Sequence, residues 1–213
     1  MRILSSKDIL FIVVIVALAI VLVLYGRDYI STGIDEVNMT IPGIGATLSG
    51  SLIVQLFDEN NNPVKVIDTP LGAVSQTEAN KYIDRIETTI KLDKLTNVEN
   101  LTAHNIKYIS STILISYGSM SIGSGTGKSL SLVKNGSQLH RYVLDRETLI
   151  DKIQKHVGTL KPGTHITLEI EGSICLYNVS SGKPAICVRT RNPINIVLEY
   201  TSEGKLLLID IKR

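Results

Sequence analysis

Four sets of residues in this 213-residue chain have types and spacings that could do chemistry. Cys175 and Cys187, the only cysteines, bracket CLYNVSSGKPAIC, two β-rich runs about a Ser-Ser-Gly-Lys-Pro turn. Folded as a hairpin, this stretch sets the two thiols opposite each other and lets them close a disulfide. Eleven intervening residues do not match a zinc ligand pair, so no metal is expected there. Asn38, Asn100, Asn135 and Asn178 each open an Asn-x-Ser/Thr triplet with no proline in the middle. That is the acceptor pattern for N-glycosylation in an exported chain. His104, His140, His156 and His165 stand on unlike elements, with no i,i+4 or E-x-x-H spacing, and read as surface residues. Gly123, Gly125, Gly127 and Lys128 complete the list as a glycine-rich loop carrying one cation.

All of these lie beyond residues 9–25, ILFIVVIVALAIVLVLY, which contain no charge, amide or glycine. As a helix this run spans roughly 25 Å and is apolar on every side, as expected of a membrane-spanning segment. A cleaved signal peptide is the competing reading. The run is longer than a signal's apolar region, and Leu24 offers no small-residue cleavage site. Arg2 and Lys7 precede the helix and Arg27 follows it, which favours residues 1–8 as a cytoplasmic tip and export of the rest. The expected order is tip 1–8, transmembrane anchor 9–25, stalk 26–46 and an extracytoplasmic domain 47–213. The first partner is thus the lipid bilayer, through residues 9–25.

Charge narrows the other partners. Three of the 22 Lys and Arg residues (Arg2, Lys7, Arg27) and one of the 20 acids (Asp8) precede residue 28, so residues 28–213 are formally neutral. A neutral domain without a basic patch does not release counterions from phosphate, which argues against nucleic acid. Cysteines and sequons agree with an oxidising, extracytoplasmic location.

The elements that position these residues read mostly as strands. Alternation marks residues 47–58 around Leu52, Val54 and Leu56, then residues 63–68 after a polar turn. Ser75-Gln76-Thr77-Glu78 reads as a capping box for a helix with Ala79, Tyr82, Ile83 and Ile86 on one face. Further strands are expected at 88–92, 102–109, 111–117, 129–133 and 139–144. Asp145 opens a second helix over 146–157, with Leu149, Ile150, Ile153 and Val157 aligned. Strands at 166–170, 173–178, 185–190, 194–200 and 206–211 close the chain. Ten or so short strands at this spacing predict a mainly β fold: an antiparallel, immunoglobulin-like β-sandwich with one or two short helices, behind the transmembrane helix.

Several stretches resemble known families. Leu52-x-Val54-x-Leu56-x-Asp58, followed by Asn61-x-Pro63-Val64, is similar to the first hairpin of surface-displayed immunoglobulin-like domains. Leu160-x-Pro162-Gly163-Thr164 resembles the crossing before a late strand of fibronectin-type sandwiches, with Ile166 where those domains carry tyrosine. Residues 122–129 resemble a P-loop, but Ile122 replaces its first glycine and the following Leu-Ser-Leu-Val does not read as a helix. Gly118-Ser119-Met120, with His140 downstream, resembles the serine-methionine box of signal peptidases; Ser121-Ile122 stands where that box carries proline. An apolar N-terminal helix ahead of a β head resembles archaeal pilin-like proteins and archaellum stator proteins. Ser5-Ser6-Lys7-Asp8 lacks the glycine of a pilin processing site.

No nucleophile, base and orienting group can be assembled from these residues. The expectation is a non-enzymatic, single-pass protein of a cell surface or viral envelope, without cofactor. Its β-sandwich would serve a structural or adhesive role, binding another envelope protein or copies of itself. The alternative is a pilin-like filament subunit or archaellum-stator-like accessory protein, with an exported hydrolase behind both.

Overall fold

A computed structural model describes residues 38–41, 43–69, 80–190 and 192–212, all inside one compact unit, Glu36–Arg213. Residues 9–25, read as a membrane helix, lie outside the described residues. Among the described residues no helix is long and apolar enough to cross a membrane.

The unit is mainly β, with antiparallel sheets and few helices. In chain order its elements are β1 (Asn38–Ile41), β2 (Ala46–Phe57), β3 (Pro63–Thr69), β4 (Tyr82–Ile83), β5 (Arg85–Leu95), α1 (Val98–Ala103), β6 (Ile106–Tyr117) and β7 (Met120–Ser129). A 3-10 turn at Leu130–Leu132 leads to β8 (Gln138–Asp145), α2 (Arg146–Val157), β9 (Thr164–Asn178), β10 (Pro184–Arg189), β11 (Ile194–Tyr200) and β12 (Leu206–Lys212). One sheet has five strands in the order β1-β2-β5-β8, with β3 also paired to β2. The other has seven, in the order β4-β12-β11-β9-β6-β7, with β10 also paired to β9.

Period-two alternation builds both inner faces. Leu48, Leu52, Val54 and Leu56 of β2 are buried, as are Ile166, Leu168, Ile170, Ile174 and Leu176 of β9, all in one hydrophobic cluster. Two glycines let the sheets approach. A Cβ on Gly50 would lie 2.2 Å from Ile174 Cδ1, and one on Gly172 would lie 3.0 Å from Leu52 Cδ1. Each sheet therefore sends a side chain against the other's backbone.

The second predicted helix is present with its predicted bounds. Asp145 precedes it in extended conformation, Glu147 stands in its first turn, and Lys155 and His156 in its last, as the helix dipole favours. Gly158 ends it at φ 85°. Leu149 and Ile153 are buried, whereas Val157, in the last turn, is exposed.

Other expectations are corrected. The helical stripe of Ala79, Tyr82, Ile83 and Ile86 is not helical where it is described: Tyr82 and Ile83 form β4, and Ile86 belongs to β5, while Ala79 and the capping box at 75–78 lie outside the described residues. Ile83 and Ile86 are both buried because the chain crosses between the sheets at Asp84, so the spacing reports two faces rather than one helix. Residues 98–103, which overlap a predicted strand only at 102 and 103, are the short helix α1, entered through Asn97 in left-handed conformation. The glycine-rich stretch is not a loop but β7, and residues 130–132 are a 3-10 turn rather than strand. The predicted strands 166–170 and 173–178 are one strand, β9, as 111–117 is one with 106–109 in β6. The sheet also begins earlier than residue 47, since β1 pairs with β2 within the stretch assigned to the stalk.

Candidate functional site

β7 ends one edge of the seven-stranded sheet and β8 ends one edge of the five-stranded sheet. Where these edges meet, Ser124 Oγ lies 2.8 Å from His140 Nε2, and Lys128 Nζ donates to the Gln138 carbonyl at 3.4 Å. Burial holds the His140 imidazole below its usual pKa, with the Lys128 charge adding to the effect. With the ring proton on Nδ1, the neutral imidazole accepts a hydrogen bond from the Ser124 hydroxyl. At the tip of the β6–β7 hairpin, Ser119 Oγ lies 3.0 Å from His156 Nε2 at the end of α2. The serine-methionine-box pairing of Ser119 with His140 is therefore not formed; each takes a different partner. Among the described residues no hydrogen bond joins either imidazole to a carboxylate, so neither serine-histidine contact has the orienting acid of a triad.

Residues 122–129 lie in regular antiparallel register with β6, Ile122 opposite Ile115 and Lys128 opposite Ile109. A phosphate cradle needs successive amides converging at a helix start, and here they alternate along a strand. Among the described residues there is also no group of three His, Cys, Asp or Glu side chains able to hold a metal.

The sequence reading missed one charged cluster. Glu87, on the outer face of the five-stranded sheet, is 5% exposed. Its Oε1 lies 3.0 Å from Arg85 Nε, and its Oε2 accepts from Arg141 Nε at 3.0 Å. Arg85 in turn stacks over Phe57, 4.4 Å from the ring centroid. The signal was the i,i+2 spacing of Arg85 and Glu87, legible only once this stretch is known to be a strand. Removing one partner of such a covered carboxylate costs on the order of 3 kcal/mol, so we read the cluster as holding β5 to β8.

Cys175 and Cys187 are directly opposed in the β9–β10 pair and joined by a disulfide, their Cα atoms 4.0 Å apart. This cross-link adds on the order of 2–3 kcal/mol by restricting the unfolded chain. It lies on the outer face, since neighbouring Ile174 and Val188 point into the core. The sequons are separate from it and from one another. Asn100 sits exposed on α1, with Nδ2 3.4 Å from the Ile44 carbonyl. Asn135 is exposed before Gly136, its Oδ1 accepting the Leu95 N–H at 2.7 Å. Asn178 ends β9, its amide donating to the His104 carbonyl at 3.2 Å and accepting from the Ser180 N–H at 2.9 Å. Asn38 begins β1. His104, His156 and His165 are exposed, while His140 is half-buried.

Fold and site together define an antiparallel two-sheet β domain, cross-linked on one outer face, whose serine-histidine contacts have no orienting acid among the described residues. Compared with protein-family models, curated proteins and solved structures, the chain matches none.

Proposed function

We propose that this chain is a single-pass, membrane-anchored protein whose exported domain, an immunoglobulin-like sandwich, acts by binding protein rather than by catalysis. The observation that carries the reading is the Cys175–Cys187 disulfide at directly opposed strand positions. Such bonds form and persist in oxidising compartments, outside the reducing cytosol. The charge-free run at residues 9–25 supplies the anchor, with the bilayer as first partner. The exposed amides of Asn100 and Asn135 supply acceptors for glycan on the same side. The absence of an orienting acid at Ser119 and Ser124, among the described residues, favours a structural or adhesive role over hydrolysis.

The test is non-reducing peptide mapping of the native protein extracted from membranes. The expected result is an intact peptide containing residues 9–25, a Cys175–Cys187 linked pair, and glycan on at least one of the four asparagines. Two cysteines that alkylate without reduction, together with four unmodified asparagines, would place the domain in the cytosol and overturn the reading.

A further inference from the structure

The exposed sheet edges are not equivalent. Among the described strands, β4 has two residues and β1 four, and the pairings of β3, β8 and β10 each carry a register shift. Short and bulged edges are the usual protection against strand addition. β7 runs for ten residues in unbroken register with β6 and contains no proline. Its two-residue turn, with Gly118 at φ 54°, makes Tyr117 and Met120 a hydrogen-bonded pair. Every second pair then follows, so Ile122, Ser124, Thr126 and Lys128 bond to β6. The N–H and C=O groups of Ser121, Gly123, Gly125, Gly127 and Ser129 point the other way, to an edge that no strand among the described residues pairs. Glycine or serine occupies each of these five positions, and Ser121, Gly123, Gly125 and Gly127 are exposed.

We propose that β7 is the docking edge for a second copy of this chain, joined β7 to β7 in antiparallel register about Gly125. This names the partner for the protein-binding role proposed above. The edge is nearly palindromic. Pairing about Gly125 sets Gly123 opposite Gly127 and Ser121 opposite Ser129 of the second copy. No large side chain stands at any edge-facing position, and Lys128 meets Ile122 instead of another lysine. The five edge-facing residues of each copy satisfy one another's backbone groups, continuing the seven-stranded sheet across a two-fold axis. An isologous contact of this kind closes at two copies and leaves no second β7 edge for growth.

The test uses the full chain in detergent micelles. Gly125→Cys places a thiol on the axis and is expected to give a covalent dimer on mild oxidation. Ser121→Cys alone, four residues off the axis, is expected to give none, whereas an equal mixture of Ser121→Cys and Ser129→Cys chains is expected to cross-link. Gly127→Pro removes an edge-facing N–H without touching the β6 ladder, and a Cβ there meets only the Ile109 carbonyl, at 4.0 Å. Both copies lose a bond, so this change is expected to raise the dissociation constant roughly tenfold. Retention of the Cys175–Cys187 bond and an unshifted thermal midpoint show that the variant is folded. A chain that sediments as a monomer with the introduced thiol free overturns the proposal, as does a dimer that cross-links through Ser121→Cys alone or ignores Gly127→Pro. Such a monomer whose peptide map still shows the disulfide and glycan refutes only the pairing. A cross-linked dimer with free native cysteines refutes only the export.

Discussion

Glycine occupies strand positions in two regions of this domain, for opposite reasons. Gly50 and Gly172 face inward, and the missing side chain is filled by Ile174 from one sheet and by Leu52 and Ile90 from the other. Gly123, Gly125 and Gly127 lie on the edge strand β7, where among the described residues the vacated space is only grazed, by Leu114 at 3.8 Å beside Gly123 and by Thr112 at 3.3 Å beside Gly125. In the interior, glycine sets how closely the sheets approach. At the edge, it leaves the backbone uncovered. The same residue type therefore reports packing in one place and accessibility in the other, and only the facing surface tells them apart.

Substitution to alanine breaks the comparison most directly at Gly50. Its Cβ would meet Ile174 Cδ1 at 2.2 Å and the Lys91 carbonyl at 2.7 Å, and the second of these is backbone. Gly50→Ala is expected to cost about 3 kcal/mol in urea unfolding, because a strand has to shift. At Gly172 the nearest atoms are the ends of Leu52 and Ile90, at 3.0 and 3.4 Å. These side chains can re-pack, so Gly172→Ala is expected to cost about 1 kcal/mol. Equal costs at the two sites would mean that the sheets do not interlock as described.

Acid is expected to act on the seam beside the open edge. Burial and Lys128 hold folded His140 below the ordinary imidazole pKa, so the unfolded chain binds the proton first as pH falls. The stability this provides is complete above the ordinary histidine range and is lost as pH drops toward the lowered folded value. Denaturation midpoints at about pH 7.5 and about pH 5.5 should show a decline that His140→Gln flattens. A decline that persists unchanged in the variant would assign it to other groups. The smallest effect is expected at the edge. Gly123→Ala meets only Leu114 Cδ1, at 3.8 Å, and should change stability by no more than about 0.5 kcal/mol in either direction.

Where side-chain alternation carries the signal, the chain is legible: α2 and β11 have their predicted bounds, and the opposed cysteines follow from two β-rich runs around a turn. The misses share a cause, which is structure imposed by a neighbour. β7 has little strand propensity of its own, being rich in glycine and serine, and is extended because β6 presents a ladder to it across a tight turn. Ile83 and Ile86 fit a helical period because two strands of different sheets meet at Asp84. Ser119 and His140 stand together in a sequence pattern but find His156 and Ser124, since the partners sit on elements brought near by sheet order.

Local chemistry was thus enough to establish the β class, the second helix with its apolar face, and the cysteine pair, because each depends on spacing within a few residues. Which edge stays open, which glycine is filled, and that Glu87 is covered by two arginines depend on strands far apart in the chain. Those properties arise from non-local pairing, whose register is set by the packing of both sheets at once and is not written in any single segment.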